Sequence, residues 1–222
     1  MINKKMRPAK QSTARKLLRA ATDAFSAAGF DATSTRAVAD RAGVNIALIA
    51  YHFGGKDGLY KAVLDAWVSG MCDGINRELS GVTTAARRTD ALVSVFLRYA
   101  LIESPGVAAL IARESVTAVN SGAARRTAAA LKPLIELLDS LVPSCETAIG
   151  DGAAFLGLLL RLAAPMPSID GDGAKGYHLA RVRALALLRP AIGSAPIHPG
   201  QPKPEAAPKH RVAPHPTVDF VD

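Results

Sequence analysis

Cysteine is nearly absent from this chain: Cys72 and Cys145 are the two thiols in 222 residues, and neither belongs to a Cys-x-x-Cys or Cys/His spacing. That excludes a disulfide framework and a thiolate zinc site, and it fits a reduced, cytoplasmic setting. Long apolar runs are missing as well. The longest, Ala153 to Met166, is broken by Arg161 and falls short of the ~20 residues a spanning helix needs. The N-terminus carries no signal-peptide core, so a soluble, unexported protein without a membrane partner is expected. Alternating β-branched runs bounded by turn pairs do not occur, so the expected fold class is all-α. There is no Ser/His/Asp set and no metal-ligand spacing, and Gly54-Gly55 lacks the phosphate-loop pattern. No enzyme activity and no cofactor are therefore expected, and no catalytic or metal-binding residue is assigned.

What the chain does have is a basic end with a two-helix signature. Residues 1–66 hold 11 Lys/Arg against 5 Asp/Glu, whereas residues 67–190 hold 13 against 11 and the remainder 3 against 3. Most of the +8 formal charge therefore sits on the first third of the chain. A phosphate-neutralising surface requires this, although a solvated basic face would show the same charge. Within that third, Thr33 or Ser34 can cap a short helix whose Val38, Ala39 and Ala42 make one apolar stripe, and Gly43 can end it. Asn45 can cap a second helix with Ile49 and Phe53 on one face and Val44 beneath them. The opposite side carries Ala47 and Tyr51, flanked by Leu48 and Ala50. Two short helices around a tight glycine turn make a helix-turn-helix, whose exposed face meets a major groove.

The rest of the chain divides around this element. Residues 1–11 form a basic arm, either a minor-groove contact or a solvated terminus. Ser12 or Thr13 can cap a first helix with Leu17, Ala21 and Phe25 on its apolar face, stopped by Gly29. This third helix is needed because two helices alone bury too little surface. The DNA-binding domain is therefore set at 12–66. A long helix opens at Lys56 and runs to about Leu79, with Leu59, Tyr60, Val63, Leu64, Trp67 and Met71 at helical spacing. After a loop from Gly81 to Arg88, further helices are expected near 89–103, 105–120, 125–142, 147–164 and 174–190, with Pro133 kinking or starting one of them. They make a second, C-terminal domain over 67–190. The stretch 191–222 is proline-rich and expected to be a disordered tail; its His198, His210 and His215 have no regular ligand spacing.

The first helix ending Phe25-Ser-Ala-Ala-Gly29, the Thr33-Ser-Thr-Arg-Ala-Val-Ala39 stretch, Ala42-Gly43-Val44, and His52-Phe53 followed by Lys56, Leu59 and Tyr60 resemble the TetR family of bacterial transcriptional regulators over residues 12–66. The phrase Tyr51 to Tyr60, with Leu110-Ile-Ala-Arg-Glu114, is similar to the CecR-like branch. The resemblance implies a homodimeric repressor bound to a double-stranded, palindromic DNA operator, with a helical C-terminal domain that binds a small-molecule effector and dimerises. Two other functions compete with it: a non-specific architectural DNA binder, and a small-molecule-binding enzyme.

The candidate DNA contacts are Ser34, Thr35, Arg36, Asn45, Ile46, Ala47, Leu48, Ala50, Tyr51, His52 and Lys56. Arg36 can address guanine, and the Ser34 and Thr35 hydroxyls suit phosphate oxygens or merely cap the helix. Lys56 at a positive helix end suits a phosphate. Tyr51 and His52 match positions that touch DNA in the family, although His52 can equally satisfy a local backbone group. Ile46, Ala47, Leu48 and Ala50 offer no polar side chain, and family members commonly carry Tyr where Ala50 stands. This departure favours thymine-methyl contacts, Arg36 and DNA shape as the basis of readout. Phe96, Tyr99, Glu103, Arg113, Glu114, Arg161 and His178 are candidates to line an effector pocket, the alternative being solvated or mutually paired charges. Phe155, Leu158, Leu159 and Leu162 with Leu179, Val182, Leu185 and Leu188 can build a four-helix dimer interface or the core of the monomer.

Overall fold

Side-chain chemistry at the helix ends sets the boundaries of the N-terminal elements. The Ser34 hydroxyl accepts the Ala37 N–H at 3.0 Å and so opens α2, Thr35–Ala42, satisfying one of the donors that a helix start leaves over. Thr33, the other expected cap, instead donates its hydroxyl to the Gly29 carbonyl at 2.7 Å. Gly43 ends α2 in the left-handed region, and its N–H reaches the carbonyls of Ala39 and Asp40. The Asn45 side-chain carbonyl accepts the Ala47 N–H at 2.8 Å, and α3, Ala47–Phe53, follows.

The computed structural model describes residues 8–116, 121–141, 151–163 and 177–186. Residues 1–7 of the basic arm, Cys145, Leu188, the side chain of Leu162, and the tail with its three histidines lie outside the described residues. Before α2 runs α1, Pro8–Ala32. It begins ahead of the expected caps Ser12 and Thr13, because proline at a first helical position lacks only a donor that would be unsatisfied anyway. Its Leu17, Ala21 and Phe25 are buried, as their spacing implies.

The long helix α4, Lys56–Leu79, has 24 residues and is thus about 36 Å in length. It packs on α1 and α3 at the head and on α5 and α7 in the body. Its Trp67 meets Phe96 edge-on, with ring centroids 6.3 Å apart, and Tyr99 at 5.8 Å. Helix α5, Ala85–Arg98, starts earlier than the sequence spacing suggests, so the loop ends at Thr84. One π-helical turn, Tyr99–Glu103, then leads through a bend of 103° into α6, Pro105–Val116. Helix α7, Gly122–Leu141, holds Pro133 in its interior, so the proline does not start it. Helix α8 is Gly152–Ala163, and α9 covers 177–186, held to α5 by the Arg181 Nε donating to the Ser94 hydroxyl at 2.9 Å. Among the described residues all regular structure is helical. The chain is all-α, an N-terminal helix-turn-helix domain followed by a helical C-terminal domain. Among the described residues no single helix is long and apolar enough to cross a membrane.

Candidate nucleic-acid interface

Burial sorts the two short helices into an inner and an outer face. Val38 and Ala39 of α2 and Ile49 of α3 are in the core, with Leu48 and Phe53 partly buried against it. Outward stand Ser34 and Arg36 on α2, and Asn45, Ile46, Ala47, Ala50 and Tyr51 on and before α3. Ile46 is 46% exposed and Tyr51 63%, high values for large apolar side chains. Thr35, His52 and Lys56 are half-buried at the edges of this surface. His52 sits between two rings, its centroid 5.0 Å from Tyr51 and 6.2 Å from Phe53. The structure thus places ten of the eleven candidate contacts on or around one outer surface. Leu48 turns partly inward, because it lies one position from Ile49 on a helix whose buried stripe is narrow.

Close approach fixes α3 relative to α4. A Cβ on Gly58 would stand 1.7 Å from the Phe53 carbonyl oxygen, so only glycine lets the start of α4 pass the end of α3. Lys56 is held by the Asp31 carbonyl, to which its Nζ donates at 3.2 Å, and lies 4.5 Å from the centroid of the Phe30 ring.

Phe30 is the centre of a junction between head and body. Its ring packs on Phe25 and Tyr60, and the Arg126 guanidinium of α7 lies 4.6 Å from its centroid. Arg126 also pairs with Asp57 in the first turn of α4. The buried Tyr60 and Thr127 hydroxyls hydrogen-bond at 2.9 Å, and burial pushes the Tyr60 phenol up from its ordinary range. From α6, the buried Glu114 carboxylate accepts the Phe30 N–H at 3.4 Å, and Arg113 donates to the Phe25 carbonyl at 3.2 Å. Sequence reasoning missed Phe30, Arg126 and Thr127. An aromatic directly after Gly29 was the available signal, but its partners come from distant helices.

The seven pocket candidates do not share one cavity lining. Arg113 and Glu114 belong to the junction, drawn there by backbone groups around the kink at Gly29. Phe96 and Tyr99 surround Trp67 in the body core, and burial, then the charges of Glu103 and Asp73, push the Tyr99 phenol up to about 12. Glu103 pairs with Arg98 at 3.2 Å on the surface, and Arg161 and His178 are exposed. The indole N–H of Trp67 is buried and has no hydrogen-bond partner among the described residues. Of the dimer candidates, Phe155 and Leu159 are buried in the core of the protomer, since α8 packs against α6 and α7, and Leu185 of α9 is buried as well. Among the described candidates that leaves half-buried Leu158 with Leu179, 37% exposed, and Val182, 51% exposed, for a partner.

A basic helix-turn-helix head carried on a helical body defines a class of protein, and comparison with known sequences agrees with it. Residues 17–63 match the family described as bacterial regulatory proteins, tetR family. Over this head the chain is similar to that family. It is 33% identical over 87 residues to the probable HTH-type transcriptional regulator YttP of Bacillus subtilis, covering 39% of this chain and 42% of that one. Over 101 residues it is 33% identical to the HTH-type transcriptional activator FasR of Mycolicibacterium smegmatis, 46% of each chain. It therefore spans less than half the length of these curated relatives. The crystal structure of the transcriptional regulator FadR from Bacillus subtilis in complex with stearoyl-CoA aligns with a TM-score of 0.61 at 14% identity, over 82% of this chain and 99% of that one. At that identity the likeness is one of fold.

Proposed function

We propose that the chain is a sequence-specific DNA-binding transcriptional regulator of the cytoplasm, a homodimeric repressor released from a palindromic operator by a small molecule. One observation carries this reading: the outer surface of α2 and α3, bounded by Arg36 and Lys56, on a segment with a net charge of +6. Such a surface fits a major groove, with phosphates engaged at its edges. Within the family we place the chain with the CecR-like branch, on Tyr51 to Tyr60 and Leu110 to Glu114. Leu179 and Val182 support the dimer, because they leave an apolar edge on α9 that a second copy can cover.

We propose the surroundings of Trp67, Phe96 and Tyr99 as the effector site. A buried indole donor without a partner among the described residues, beside the Phe96 and Tyr99 rings, suits an apolar ligand with one hydrogen-bond acceptor. The stearoyl-CoA held by the FadR structure is a ligand with a long apolar chain. Binding there would reach the head through α4 and the Arg126–Phe30–Lys56 junction, with a coupling of about 1–3 kcal/mol.

Selection of bound DNA from a random library with the purified protein tests the reading. It should enrich a palindrome whose half-site centres are roughly 34–36 Å apart or a multiple of that. Equal binding of random and selected DNA at physiological salt would instead mark a non-specific architectural protein. Because Trp67 is the only tryptophan of the chain, its fluorescence reports the effector directly. A ligand that raises the melting temperature without changing that emission binds somewhere else.

A further inference from the structure

The outward face of α3 starts with methyl groups and ends in Tyr51. Ala47 and Ala50, one helical turn apart, are both exposed, with Ile46 exposed ahead of them. The polar groups nearby are displaced to the ends. The Asn45 side-chain carbonyl oxygen is taken by the Ala47 N–H, while Tyr51 stands at the C-terminal edge with His52 against its ring. Between these ends, α3 has neither donor nor acceptor to offer a base edge.

In the major groove, a methyl surface finds one apolar feature, the methyl on C5 of thymine. The same methyl sits at the same ring position in 5-methylcytosine, where it projects into the same groove. A surface without hydrogen-bonding groups cannot sense the exchange of carbonyl for amine at the neighbouring C4. We propose that Ala47 and Ala50 read the C5-methyl group itself, so that 5-methylcytosine replaces thymine at the base pairs beneath them and operator occupancy responds to cytosine methylation. The ligand class is thus double-stranded DNA carrying methylated pyrimidines at defined steps. This rests on the regulator reading above and adds to it which chemical group specifies the site.

The test uses the wild-type chain and the best duplex recovered from the random library. Each thymine of a half-site is replaced in turn by deoxyuridine, and separately by cytosine and by 5-methylcytosine, each paired with guanine. At one or two positions, deoxyuridine should weaken binding about 4-fold per methyl removed, and 5-methylcytosine should bind better than cytosine by a similar factor. In Ala50→Gly, the thymine-over-deoxyuridine ratio should fall towards one at a single position while the others keep theirs. Deoxyuridine binding within twofold of thymine at every position, on a duplex that is still selected over random DNA, overturns the methyl reading and leaves the regulator intact. A library that yields no enriched sequence overturns the regulator reading, and this inference with it.

Discussion

Gly29 is the residue on which the attachment of the head to the body turns. Its φ of 82° and ψ of 179° lie in a region open essentially to glycine alone. A Cβ there would also meet the Arg113 guanidinium and the Glu114 carboxylate, each at 3.1 Å. Gly29→Ala should therefore lower unfolding stability by about 1–3 kcal/mol, read from urea denaturation, and loosen the Phe30 N–H contact with Glu114. An unchanged midpoint would mean that the kink is not needed. Tyr99 offers a second test at this scale. Its phenol stands at about 12 in the fold against an ordinary 10.0, so the folded chain keeps the proton to higher pH than the unfolded one. Below pH 10 this contribution to stability is complete, and it is lost as pH rises towards 12. The melting temperature of Tyr99→Phe should accordingly fall less steeply than that of the wild type across that window. Parallel alkaline profiles would show that Tyr99 ionises freely.

At the scale of elements, what was legible in the sequence followed from local chemistry. Ser34, Gly43 and Asn45 act within a few residues of themselves, so α2, the turn and α3 appear where those side chains place them. The apolar stripe of α4 was legible for the same reason, being a matter of period alone. Tertiary partners were not: Glu114 and Arg113 read as charges interrupting an apolar helix, and nothing nearby in sequence shows that the backbone at Phe25 and Phe30 lies beneath them. The stripe on α8 likewise does not tell a partner's surface from the protomer's own core; packing against α6 and α7 buries Phe155 and Leu159 and leaves Leu158 half-buried. Pro133 is the clearest case of packing overriding local preference. It lies inside α7, exposed, while Leu131 and Leu134 on either side are buried. The helix continues because its buried face outweighs one missing hydrogen bond. Removing that conflict with Pro133→Ala should raise stability, by up to about 3 kcal/mol, measured as a higher melting temperature. A lower one would mean that the proline ring is itself required by the packing of α7 on α4.

For the whole molecule, the distribution of charge gives a prediction that separates attachment to DNA from reading it. Each phosphate neutralised contributes about 0.9 to the slope of log affinity against log salt, whatever the base sequence. Lys56 is held by the Asp31 carbonyl and the Phe30 ring before any DNA arrives, so little further ordering is needed for it to meet a phosphate at the start of α4. Lys56→Ala should reduce the salt slope by about 0.9 per bound head and weaken selected and random DNA by the same factor. Arg36, exposed at the start of α2 and without an ion-pair partner among the described residues, should behave differently. Arg36→Ala should remove about 1–3 kcal/mol of preference at one base pair, seen as a flattened column in a repeated selection, while random DNA is weakened less. Binding titrations of both variants across a salt series on both kinds of DNA distinguish the two roles. If Lys56→Ala changed sequence preference while leaving the slope intact, α4 would be entering the groove rather than resting on the backbone, and the head would have to dock at a different angle from the one its outer face suggests.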